Sequence, residues 1–140
     1  MSRTMQVVNG DWVLDRRTGR PVTVSGRDKL RQDIGESLTV ATQPTGFGAG
    51  LDALIGQDVD PAGFRIEVQR AIRDAVRALQ RLQDRYLSDQ RPANERVAGV
   101  STLSVGLVNL GGGTARTGYS FRVSVRPVAG DAVTLAGTGG

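Results

Sequence analysis

Residues 60–87 read DPAGFRIEVQRAIRDAVRALQRLQDRYL, and this stretch decides the fold. Asp60 is a favourable N-cap, and Pro61 then takes the first helical position, where its missing N–H costs nothing. Phe64, Val68, Ala71, Ile72, Ala75, Leu79, Leu82 and Tyr86 recur three or four residues apart, which is one face of a helix. The other face carries Arg65, Arg70, Arg73, Arg77, Arg81 and Arg85, interrupted by Glu67, Asp74 and Asp84. Neither Gly nor Pro breaks the run between Gly63 and Leu87. A helix of about 25 residues is roughly 37 Å long. That is as long as a small domain is wide, so the rest of the chain must pack against it.

Upstream, Ser25 reads as the cap of a second helix, with Asp28 three residues on in the place of the capping-box Glu. Leu30, Ile34 and Leu38 form a narrow apolar stripe, and Arg31, Gln32, Asp33 and Glu36 decorate the rest. Gly35 weakens that helix by roughly 1 kcal/mol against Ala, and its size suits close packing on the long helix. Further upstream, Asp11–Leu14 and Pro21–Val24 read as two strands around the turn Asp15–Arg20, with Gly19 supplying a positive φ. Pro21 at a strand start argues for an edge. Trp12 is expected as a core anchor under this hairpin.

Between the two helices, Gly46, Gly48 and Gly50 alternate. A phosphate-cradling loop would need either a preceding strand and a two-residue second gap or a Gly-Lys-Ser/Thr ending, and neither is met. The segment reads instead as a tight backbone crossing that lays Phe47, Leu51, Leu54 and Ile55 against the helices.

Downstream of the long helix, residues 88–96 form a polar connector. Val97–Leu110 alternates loosely, and Tyr119, Phe121, Val123 and Val125 alternate strictly with Ser120, Arg122, Ser124 and Arg126. An antiparallel hairpin with one face on the long helix follows, closed by the Gly111–Gly113 loop and ended by Pro127. The expected architecture is α+β, a small antiparallel sheet on one long helix and a shorter one. Residues 1–127 make a single domain, and residues 128–140 a flexible or strand-donating tail with one short β-like run at Val133, Thr134 and Leu135.

The 140 residues suit one domain. With 39% apolar and only 4% aromatic residues, its core must be built from Val, Leu, Ile and Ala. There is no Cys and no His, which removes thiolate chemistry and the usual general base near neutral pH. An enzyme would have to work with carboxylates, Lys, Tyr or Ser. No apolar run reaches membrane-spanning length, and no basic-then-apolar leader opens the chain. The net charge is +4, with Lys29 the single lysine among 18 cations. Arginine at this level suits bidentate pairing across protein interfaces as well as phosphate. The ridge Arg70, Arg73, Arg77 and Arg81 lacks interleaved aromatics, which argues against nucleic acid.

The order of elements and their landmark residues resembles the baseplate wedge, or sheath-initiator, family of contractile phage tails, also labelled gene-25-like lysozyme. The likeness is carried by Gly10-Asp11-Trp12-Val13-Leu14, Val24-Ser25-Gly26, Leu30, Gln32-Asp33-Ile34 and Leu38. It continues through Thr42–Gly46, Phe47-Gly48-Ala49-Gly50-Leu51, the long helix with Ile72 and Ala75, and the closing hairpin. One departure stands out: the family's Glu-Pro-Arg tripeptide before the hairpin is here Asn94-Glu95-Arg96-Val97, with Pro92 earlier. Glu95 and Arg96 map onto that motif.

The resemblance implies a structural virion protein of the tail baseplate, assembled in the host cytoplasm, with no cofactor and no bound metal. It implies several copies, six in a ring, contacting the tail sheath protein, the tail tube protein and other wedge subunits. Interface residues would be Glu95 and Arg96, the arginine ridge, and Val133, Thr134 and Leu135 as an exchanged strand. The alternative is a peptidoglycan-degrading hydrolase. That reading needs two carboxyls facing across a cleft, and Asp11, Asp52 and Glu95 share no pattern that brings two of them together.

Overall fold

The long helix forms where its pattern places it. The computed structural model describes residues 4–8, 11–39, 49–50, 61–85, 92–109 and 117–139, and in it α2 runs Pro61–Arg85, 25 residues. Phe64, Val68, Ile72, Ala75 and Leu79 are buried as the spacing requires, and Val76 joins them. Leu82 is only half-buried, and the next core position is taken by a polar residue, Gln83. Asp60 and Tyr86 lie outside the described residues, as does most of the glycine-alternating segment. Of that segment Ala49 is described, and it packs into the core, its N–H donating to the Ser37 carbonyl at 2.8 Å.

The shorter helix, α1, spans Gly26–Thr39 and lies against α2. Leu30 and Ile34 are fully buried and Leu38 nearly so, so the narrow stripe is its core face. Gly35 does not serve the contact with α2. A Cβ there would point at Leu135 Cδ2, 3.6 Å away, so its neighbour is the sheet.

The sheet has three antiparallel strands, β5 (Val97–Asn109), β6 (Thr117–Pro127) and β7 (Val133–Gly139), in the order β5-β6-β7. α2 packs mainly on β5 and α1 touches β7. The expected alternation holds along β6: Tyr119, Val123 and Val125 are buried in the core and Phe121 packs against it, while Arg122 and Arg126 are exposed. Two register shifts, between Val97 and Gly99 and between Val100 and Thr102, bend the start of β5. Gly137 lies opposite Phe121. A Cβ on Gly137 would come within 2.8 Å of that ring, so glycine lets the aromatic lie across the neighbouring strand.

Residues 128–139 are therefore not a loose tail. Val133–Gly139 pairs with β6 from Val125↔Val133 to Tyr119↔Gly139. Val133 is fully buried and Leu135 packs on the core. The connector is fastened too: Val128 N–H donates to the Arg96 carbonyl at 2.9 Å and Ala129 N–H to that of Ala93 at 3.2 Å. Two glycines of this segment have local tasks, Gly130 taking a left-handed turn conformation (φ 97°) and Gly137 making room for Phe121. A boundary at residue 127 falls between two strands of one sheet, and any strand exchange by this segment would first have to break its own ladder.

Among its described residues the amino-terminal part holds four two-residue strands, β1 (Thr4–Met5), β2 (Val7–Val8), β3 (Asp11–Trp12) and β4 (Thr23–Val24). The expected hairpin exists only at its closed end, where Leu14 bridges Pro21 and Gly19 has φ 67°. Beyond that its arms part. β3 pairs with β2 and β4 pairs with β1. The three chain segments meet in a closed cycle of backbone hydrogen bonds: Gln6 N–H to Val22 O at 2.8 Å, Val22 N–H to Val13 O at 2.8 Å, and Val13 N–H to Gln6 O at 3.0 Å. Trp12 is 63% exposed and is not a core anchor. Each arm pairs its backbone with the other two, and the tryptophan side chain is left largely in solvent.

Candidate functional site

Glu95 ends a 3₁₀ turn, Ala93–Glu95, and Arg96 follows it into β5. Glu95 is fully buried. Its Oε1 accepts the N–H of Gly26 at 2.6 Å, across 69 residues of chain. The start of α1 is thus capped by a carboxylate from a distant element, which also complements the positive end of the helix dipole. Gly26 enters the helix at φ 62°, and a Cβ there would lie 3.3 Å from Asn94 Nδ2. Both facts favour glycine at this junction.

Gln83 completes the junction from the α2 side. Its Nε2 donates to the Glu95 carbonyl at 3.1 Å and its Oε1 accepts from Val97 N–H at 2.8 Å. Its place in the sequence is a signal that could have been read, because it stands four residues after Leu79 on the apolar stripe. A polar residue at a core position must find partners. Two atoms of the junction have none among the described residues, Glu95 Oε2 and Arg96 Nε, both buried. In this chain Glu95 therefore faces inward, and what it touches is α1.

The arginine ridge is exposed at Arg70, Arg73, Arg77 and Arg81. Two i, i+3 pairs form on it, Glu67 to Arg70 at 3.1 Å and Asp74 to Arg77 at 4.0 Å. Both are solvent-exposed and contribute little to stability. Arg73 and Arg81 have no ion-pair partner among the described residues. Of the three β7 residues expected at an interface, Val133 is buried and Leu135 half-buried, and Thr134 is exposed, its Oγ1 2.8 Å from Ser124 Oγ. The structure does not bring the ridge, the Glu95 junction and β7 into one site.

A groove of about 600 Å³ lies between α1 and the amino-terminal strands, lined in part by Gln6, Val24, Asp28, Arg31, Gln32 and Glu36. Glu36 is exposed as a residue, and partial desolvation at the groove raises its carboxyl above the ordinary value, the Asp33 charge adding to that and Lys29 opposing it. Lys29 itself is buried and bonded to Asp33 at 2.8 Å. Gln32 spans to the strands, its Oε1 accepting Val7 N–H at 2.9 Å and its Nε2 donating to the Met5 carbonyl at 3.0 Å.

Of the three carboxyls considered for hydrolysis, Asp11 is exposed, Glu95 is buried against Gly26, and Asp52 lies outside the described residues. Among the described residues no three His, Cys, Asp or Glu side chains cluster as a metal site would require, and no helix is long and apolar enough to cross a membrane. Sequence reasoning missed the exposed apolar residues of the amino-terminal strands, Met5, Val8, Trp12 and Leu14. Their signal was the very short spacing between turn residues, which leaves each strand too short to cover its neighbour. Compared with known proteins, the chain matches no family model, no curated protein and no solved structure.

Proposed function

We propose that this chain is a structural component of a contractile tail baseplate, which joins wedge and tube subunits and templates the first sheath ring by strand addition. The resemblance in residues 9–126 motivates the reading. The observation that supports it best is the sheet β5-β6-β7, whose two outer strands each pair on one side only among the described residues. An open edge offers backbone donors and acceptors that an incoming strand can complete. The incoming strand belongs to the neighbour, since β7 is held in its own ladder. The arginine ridge on α2, where Arg73 and Arg81 have no ion-pair partner among the described residues, supplies charge for acidic groups on the tube or wedge.

Co-expression of the full chain with the sheath and tube proteins of its own particle tests this. Sheath polymerisation is expected to start at the end that carries this chain. A Thr134→Lys/Thr138→Lys variant places ammonium groups on the exposed side chains of β7 and is expected to leave the fold intact and to stop sheath growth. Particles that contract normally without this chain would sink the reading.

A further inference from the structure

Six large apolar side chains are exposed among the described residues, and four of them, Met5, Val8, Trp12 and Leu14, fall in the amino-terminal strands. Ile66 and Val128, the other two, stand far apart in sequence and on different elements. Single exposed apolar residues are ordinary, and a cluster is not. Trp12 and Leu14 are 63% and 53% exposed and alternate with half-buried Val13, so they lie on the outward side of the same short run. In the register Val7↔Trp12 and Val8↔Asp11, Val8 lies on the face opposite to Trp12, so the exposed apolar surface of this arm is made by Trp12 and Leu14.

The turn beyond Leu14 is strongly basic. Arg16, Arg17 and Arg20 are all exposed, and none has an ion-pair partner among the described residues. Asp15, the one acid of the turn, is engaged by backbone: its Oδ1 accepts from Arg17 N–H at 2.7 Å and Thr18 N–H at 3.2 Å. That Asx-type turn holds the loop in shape and leaves three guanidinium groups with an anchored base. Trp, Met and Arg are the side chains that protein interfaces favour, with Trp and Arg their usual energetic centres.

We infer that the Trp12 and Leu14 side of the amino-terminal strands is a docking surface for an acidic protein. The partner seats an apolar pocket over Trp12 and presents Asp or Glu side chains to Arg16, Arg17 and Arg20. The order of residues along the arm selects a protein over a bilayer. The charged turn is the tip and the apolar side chains lie behind it on the flank, whereas a membrane-inserting loop carries its apolar residues foremost. Nucleic acid would call for aromatics interleaved with the arginines, and the turn has none. A second copy of this chain, net charge +4, meets the same three arginines with excess positive charge. This inference uses neither the sheet edges nor the α2 ridge and stands apart from the baseplate reading.

The test is photo-crosslinking of the full chain, carrying benzoylphenylalanine at position 12 or 14, with position 128 as the exposed control, in cells that produce it natively. The expected result is an adduct from positions 12 and 14, and not from 128, to one other protein through a peptide rich in Asp or Glu. Arg16→Glu/Arg17→Glu/Arg20→Glu is expected to lower the yield at least about tenfold without changing the circular dichroism. Replacing the mapped acidic residues of the partner by Arg is expected to restore it. Equal yields at the three positions overturn the inference, as do adducts only to this chain or an adduct indifferent to the charge reversal. Trp12-dependent binding to phosphatidylglycerol vesicles or to a single-stranded oligonucleotide, with no protein adduct, overturns it in favour of those ligands.

Discussion

Gln32 and Gln83 hold backbone in the same way in two different surroundings. Each offers its amide to the carbonyl of one residue and the N–H of the residue two further on, Met5 and Val7 for Gln32, Glu95 and Val97 for Gln83. A primary amide has the donor and acceptor of a peptide group, so each side chain stands in for one residue of a neighbouring strand. The difference is water. Gln83 is 3% exposed, inside the junction of α1, α2 and the sheet. Gln32, on α1, is half-buried beside the groove and holds a module whose outer residues face solvent. The helix-and-sheet body is closed by burial, and the amino-terminal strands are attached to it by polar contacts that water can replace.

The largest test of that contrast is truncation. Removing residues 128–140 takes Val133 and Leu135 out of the core and uncovers β6, and no cooperative thermal transition is expected. Removing residues 1–24 should leave a body that still melts cooperatively, at a modestly lower temperature. Circular dichroism melts of both forms decide the matter, and similar behaviour of the two would break the comparison. Next in size is the pair of glutamines. Gln83→Ala strands a buried N–H and a buried carbonyl and is expected to cost about 3 kcal/mol, whereas Gln32→Ala should cost about 1 kcal/mol or less. Urea titrations that rank the two the other way would mean that burial is not what separates them.

Smaller effects sharpen the picture of α1, the element both regions share. Gly35→Ala is expected to stabilise by about 0.5–1 kcal/mol, the helix-propensity gain, because a Cβ there meets Leu135 at an ordinary 3.6 Å contact. A loss on urea titration would mean that α1 sits closer to β7 than that contact distance. The least effect concerns pH. Glu36 binds its proton more tightly when folded than when unfolded, since burial and Asp33 raise its pKa. Its contribution is fullest below the ordinary carboxylate range and declines as pH rises through the raised value. Stability measured from pH 4 upward should therefore fall less in Glu36→Gln than in the parent, and parallel curves would remove Glu36 from the account.

The same division explains what could be read in advance. The sequence by itself determined α2, the Leu30–Ile34–Leu38 face of α1, the strict alternation of β6 and the exposed arginine ridge. Each is a periodicity fixed by geometry within one element, with 3.6 residues per turn or two per pleat. Only the tertiary structure decided that Glu95 caps Gly26, that Val133 and Leu135 close the core in place of waiting for another chain, and that Trp12 faces out. Those outcomes depend on which distant segments compete for one backbone edge or one buried face. A short strand's pattern says that it wants a partner, and the packing of the whole chain says whether it finds one at home.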